Sequence, residues 1–131
     1  MCLGNNTPRL SRRRGQYYDL SQYNYTTDQA KGVIDPVWSK MYNVIANVNS
    51  LIEHINKADQ TMFSGVEYNV IRGEAYALRA FLHFDLVRLF GPSYKTGAST
   101  KAIPYEETFD NQVTELSTVA EVITKALGDL T

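Results

Sequence analysis

Cysteine is all but absent. Cys2 stands alone among 131 residues, which excludes an internal disulfide framework and a cysteine-rich zinc site. Charge of one sign is missing too. Thirteen Lys and Arg face fourteen Asp and Glu, for a net charge of −1. No global field draws such a chain to nucleic acid or to an acidic membrane surface. No run of about 18 apolar residues occurs, so no segment has the length and apolarity of a membrane-crossing helix. After Met1 the sequence is polar, with no apolar core of a secretory signal. A lipidated Cys2 needs an apolar signal and lipobox before it, and only Met1 precedes it, so Cys2 is expected to be a free thiol.

Catalytic furniture is also scarce. His54 and His83 are far apart and neither has a ligand-like residue one turn on, so both are expected at the surface. Glu106 and Glu107 are paired acids in a loop, which does not hold two carboxylates in working geometry. The glycines do not sit between a strand and a helix as a phosphate loop requires. Neither an enzyme, a cofactor nor a metal site is expected.

What the chain does have is tyrosine, nine in all, several crowded before Asp35. The segment 1–34 keeps no hydrophobic period and reads as irregular. Arg12, Arg13 and Arg14 form a short solvated cluster, too few charges for strong attraction in salt. The rings of Tyr17, Tyr18, Tyr23 and Tyr25 either pack over helices, the commoner role, or offer faces for stacking on a sugar. Tyr23 and Tyr25 are the candidate ligand contacts.

The rest is helical in pattern, with a hydrophobic content of 44% that is ordinary for a globular domain. Asp35-Pro36 reads as a helix start, an acceptor followed by proline at the first helical position. The helix is expected over about 36–57, with Trp38, Met41, Ile45, Val48, Ile52 and Ile55 on one half of the wheel. Asn49, at the edge of that arc, is expected to bond a neighbouring backbone.

A second helix is expected over about 65–90, opened by Ser64 and Glu67 at capping-box spacing. Gly91 is read as its left-handed cap, and Pro92 as the stop. This helix has two apolar faces. One carries Leu78, Leu82, Leu86 and Leu89. The other is smooth, with Gly73, Ala77 and Ala80 beside Phe84. Polar strips hold Glu74, Asp85 and Arg88 on one side and Arg72, Arg79 and His83 on the other. Such a helix is expected between two neighbours, with Gly73 and Ala80 at the closest approach. Residues 91–117 read as a long loop, mobile over Ser93–Thr100. Thr118 and Glu121 then open a third helix, about 118–130, one-sided and ending where a partner is wanted. The fold class is all-α: antiparallel helix pairs of the tetratricopeptide kind, over 35–131.

These motifs carry a resemblance. Trp38, Met41, Tyr42, Ile45, Val48 and Asn49 begin it, and GEAYALRAFLHFDLVRLFGP continues it through Gly73, Glu74, Arg79, Asp85 and Gly91. AIPY at Ala102–Tyr105 and STVAEVITKALGDL at Ser117–Leu130 complete it. In that order they resemble the SusD/RagB family over about Asp35–Leu130, and the central motif is specific. The resemblance implies a largely helical scaffold and a nutrient-binding outer-membrane lipoprotein at the cell surface. It implies a SusC-like TonB-dependent transporter as partner, an oligosaccharide or other nutrient as ligand, and a lipid anchor as the tie to the membrane. Two departures stand out: no lipobox is legible, and the larger C-terminal part, which in the family supplies much of the ligand site, is not in the sequence. The other reading of the helices is a repeat scaffold that binds a protein segment and no ligand of its own.

Overall fold

A computed structural model describes residues 17–110 and 112–131. In chain order come α1 (17–21), α2 (Asp28–Lys57), a 3-10 turn (Gln60–Met62), α3 (Glu67–Phe90), α4 (Tyr94–Gly97), β1 (Lys101–Pro104), β2 (Leu116–Thr118) and α5 (Val119–Asp129). The fold is mainly helical. Its small exception is the antiparallel pair β1–β2, with Ile103 opposite Ser117. Cys2 and the Arg12–Arg14 cluster lie outside the described residues.

The chain divides into two compact units, Met1–Lys40 and Met41–Thr131. In the first, the described part of the segment expected to be irregular, 17–34, is largely helical. α2 begins eight residues before Pro36, which lies inside it. The cap is Thr27, not Asp35. The Thr27 hydroxyl accepts from the Ala30 N–H and donates to Asp19. Pro36 removes one helical hydrogen bond, to the Gly32 carbonyl, and a proline inside a helix kinks it or is carried by its flanks.

In the second unit, α2 and α3 pair antiparallel. Asn56 near the turn bonds Arg72 and Tyr76, whereas Asn49, two turns earlier, reaches Arg79. Val48, Ile52 and Ala75 form the buried seam, with Tyr76 packed on it. α5 flanks α3 as well, and β1 touches both. α3 therefore has a neighbour on each side.

The buried stripe of α3 is nevertheless not either expected face. It comprises Ala75, Arg79, Ala80, His83, Leu86 and Val87. On a helical wheel the supposed polar strip of Arg79 and His83 lies at its centre. Apolar residues at the outer edges, Leu78, Phe84 and Leu89, stay exposed. Gly73 is exposed too, and a Cβ built there meets nothing within 4 Å. It is not a point of close helix approach, although Ala80 is buried. Burial follows the partners across the helix, and those partners supply polar groups.

The helix ends differ in similar fashion. Glu67 reaches back to the Ser64 N–H and hydroxyl, but the Glu67 N–H bonds the Ser64 carbonyl, so half of the box forms. Thr118 and Glu121 make the full reciprocal box. Gly91 is extended, at φ −99° and ψ 164°, not left-handed. Glycine is required there by crowding: a Cβ would stand 2.7 Å from the Val87 carbonyl oxygen and 3.1 Å from the Ala102 side chain. The stretch Ser93–Thr100, expected to be mobile, is tied down. Gly97 N–H bonds Ser93, Thr100 N–H bonds Gly97, and the Thr100 and Ala98 carbonyls accept from Val119 and Ala120. That segment thus docks on the start of α5.

Candidate functional site

In the first unit, α1 closes with a left-handed residue. The Asn24 N–H bonds Asp19 and the Tyr23 N–H bonds Leu20, the double closure of a Schellman turn. The residue in the left-handed position is Tyr23, at φ 56°. That conformation favours glycine, and a side chain there costs about 1–2 kcal/mol. Within their own unit the tyrosines are not packed over helices, which is the commoner reading. Tyr23 is 80% exposed and Tyr25 52%, and Tyr17 and Tyr18 are exposed as well. Tyr23 and Tyr25 meet edge to face, their ring centres 6.5 Å apart. Trp38 is half-buried.

In the second unit, Tyr42, Asn49, Arg79 and His83 converge on one extended segment, Pro104–Thr108. The Tyr42 hydroxyl donates to the Pro104 carbonyl (2.8 Å). Asn49 Nδ2 donates to the carbonyls of Glu106 and Thr108. Arg79 Nη1 donates to the Glu107 carbonyl and to Asn49 Oδ1. His83 Nε2 accepts from the Glu106 N–H, which fixes the proton on Nδ1, where it faces the Arg79 carbonyl at 3.0 Å. Pro104 still pairs with Leu116 in the small sheet, but beyond it the segment leaves the sheet, and side chains take the place of the ladder.

The charges beneath it are paired. Arg79 meets both oxygens of Asp129 at 2.5 and 2.7 Å, a fork-to-fork contact. The Tyr105 hydroxyl donates to the same carboxylate at 2.6 Å. Burial is the largest single influence on Arg79 and opposes its charge. The hydrogen bonds and charge of Asp129 together overcome it and push the guanidinium pKa up. Burial raises the Tyr105 hydroxyl, and its bond to Asp129 adds to the rise. Burial also raises Tyr42, with Glu106 adding to it. The His83 ring is buried and stacks on Tyr105 at 3.8 Å, and burial takes its pKa down to about 4. Among the described residues no buried side-chain polar atom lacks a partner. The arrangement holds the Pro104–Thr108 segment against α2 and α3.

The other motif residues lie apart. Glu74 and Gly73 are exposed. Asp85 pairs with Arg88 at 3.0 Å on the outside of α3. His83 is the residue that sequence reasoning misplaced. The available signal was its place in the Arg79 strip, one turn on.

Comparison with known proteins supplies the family. The model of a SusD-like family described as "starch-binding associating with outer membrane" matches residues 3–131. A SusD-like protein, P38, of Formosa agariphila is 33% identical over 115 residues, covering 86% of this chain. The chain spans 20% of the length of that relative. A family match over nearly the whole chain, with the clamp formed by motif residues Tyr42, Asn49 and Arg79, leads to one conclusion: the chain belongs to the SusD-like family, whose members bind nutrients in association with the outer membrane.

Proposed function

We propose that this chain is part of a nutrient-binding accessory protein at the cell surface, serving a SusC-like TonB-dependent transporter, with an oligosaccharide as its ligand. In this reading the protein binds and hands over, without catalysis, and a lipid anchor holds it at the outer membrane. The observation that carries the reading is the exposed pair Tyr23 and Tyr25. Packing within their unit does not account for them, and Tyr23 holds a left-handed backbone conformation that disfavours a side chain. An exposed aromatic face suits the C–H face of a pyranose and loses little side-chain entropy on binding.

The competing reading is a helical-repeat scaffold that grips a protein segment and has no ligand of its own. Weighing against it, the side chains that such a groove would use already hold the chain's own Pro104–Thr108. The test uses the full-length protein that carries this chain. Tyr23→Ala with Tyr25→Ala should weaken oligosaccharide binding on a glycan array and in calorimetry while leaving the melting temperature nearly unchanged. A co-purification with the transporter reads the partner separately. If the double variant binds as the parent does, the tyrosines are not ligand contacts. If no oligosaccharide binds the parent, the ligand class is wrong.

A further inference from the structure

We infer that the cleft between the α2–α3 hairpin and the segment Glu107–Asp110 is a second saccharide site, shaped for a neutral oligosaccharide. The inference rests on the reading above for its ligand class, but not on the tyrosine pair. The cleft encloses about 560 Å³, within the ordinary range for a small-molecule site. A smaller depression of about 250 Å³ adjoins it. The two share Asn49, Thr108, Phe109 and Asp110 as a common wall. Phe109 is 55% exposed on that wall. Two adjoining hollows that share one exposed aromatic ring suit consecutive sugar units, not a single one.

The polar groups of the cleft fit hydroxyl donors. Glu53 engages Lys57 through Oε1, and Glu107 engages Lys125 through Oε2. The other oxygen of each carboxylate can accept from a hydroxyl. The charge balance selects among sugars. Glu53, Glu107 and Asp110 line the cleft with Arg79 as its cation. Arg79 is committed to Asp129, Asn49 and the Glu107 carbonyl, with no donor turned outward among those contacts. A uronate or sulfated chain would meet three carboxylates in the lining, with Lys57 and Lys125 at its edge already paired to two of them. The acids are not a cation site in disguise: among the described residues no three His, Cys, Asp or Glu are placed to hold a metal ion.

The test is calorimetry on the full-length protein with maltoheptaose, laminarihexaose, xylohexaose and mannohexaose, and with an alginate hexamer as the acidic probe. Phe109→Ala and Glu53→Gln are compared with the parent, each checked by thermal melting. The expected result is that one neutral probe binds and that Phe109→Ala weakens it about tenfold. Glu53→Gln should weaken it less, at unchanged melting temperature. Unchanged affinity in both variants overturns the cleft and leaves the proposed function standing. Tighter binding of alginate than of every neutral probe overturns the charge argument and with it this site. Should no probe bind the parent, the oligosaccharide reading and the cleft fall together. If Phe109→Ala lowers the melting temperature, Glu53→Gln decides alone.

Discussion

Arg79, in the middle of α3, and Asp129, the last residue of α5, meet through two hydrogen bonds of 2.5 and 2.7 Å although fifty positions separate them. Both side chains are nearly inaccessible. The contact closes α5 onto α3, and Arg79 extends it to the Glu107 carbonyl and Asn49. A buried pair adds little net stability over an apolar pair of equal volume, but removing one member leaves the other charge stranded. Arg79→Ala should therefore destabilise the fold by about 3–5 kcal/mol. Arg79→Lys should recover little of this, since an ammonium cannot reproduce the fork. Urea denaturation measures both. Near-parental stability in Arg79→Ala would mean that the pair does not organise the unit.

His83 makes a pH prediction with a definite sign. Its folded pKa, about 4, lies below the ordinary value of 6.5 because the ring is buried. Between those values the unfolded chain takes up a proton that the folded chain refuses. Stability therefore falls as pH is lowered from 6.5 toward 4, by about 3 kcal/mol if the whole shift is expressed. Below the folded pKa this group contributes no further loss. Melting temperatures across that window should decline in the parent and decline less in His83→Asn, which has lost the titrating ring. Parallel slopes in the two proteins would rule His83 out as the source.

Two glycines should respond in opposite directions to the same substitution. Gly91→Ala drives a Cβ to 2.7 Å from a backbone oxygen, which cannot swing aside as a side-chain tip does. A loss of about 1–3 kcal/mol follows, in the range of overpacked sites. Gly73→Ala meets nothing within 4 Å in the interior of α3. It should gain about 0.5–1 kcal/mol from the helix preference of alanine. Thermal melts of the pair check both signs. A loss at Gly73 would show that something packs there in the whole protein.

Tyr23 separates stability from binding in one side chain. Tyr23→Gly removes the penalty at φ 56° and should raise stability, by up to about 1 kcal/mol after the greater freedom of glycine in the unfolded chain is counted. The same change deletes an exposed ring and should weaken oligosaccharide binding. The informative result is the opposite movement of melting temperature and affinity. If both fall together, the ring is packing, not contact surface.

Patterns local in sequence were legible in advance. Thr118 and Glu121 stand three apart, and the box they form is closed within one turn. Val48 and Ile52 repeat at helical spacing and lie in the seam. The start of α2 misled because Asp35-Pro36 is a stronger local signal than Thr27, yet the Thr27 hydroxyl had both Ala30 and Asp19 within reach. Gly91 was legible as a glycine that matters but not for its reason, since the crowding comes from Ala102 across the loop.

What the sequence by itself determined is the helical class, the family motif and the tyrosine-rich start, because each rests on residue type and spacing within a few turns. What only the tertiary structure decided is which polar residues are inside. Arg79, His83 and Asn49 have the look of a solvated strip until Asp129, Tyr105 and the backbone of Glu106–Thr108 are brought against them. Burial of a charge or an imidazole is settled by whether partners arrive to replace water, and those partners lie from 22 to 59 positions away along the chain.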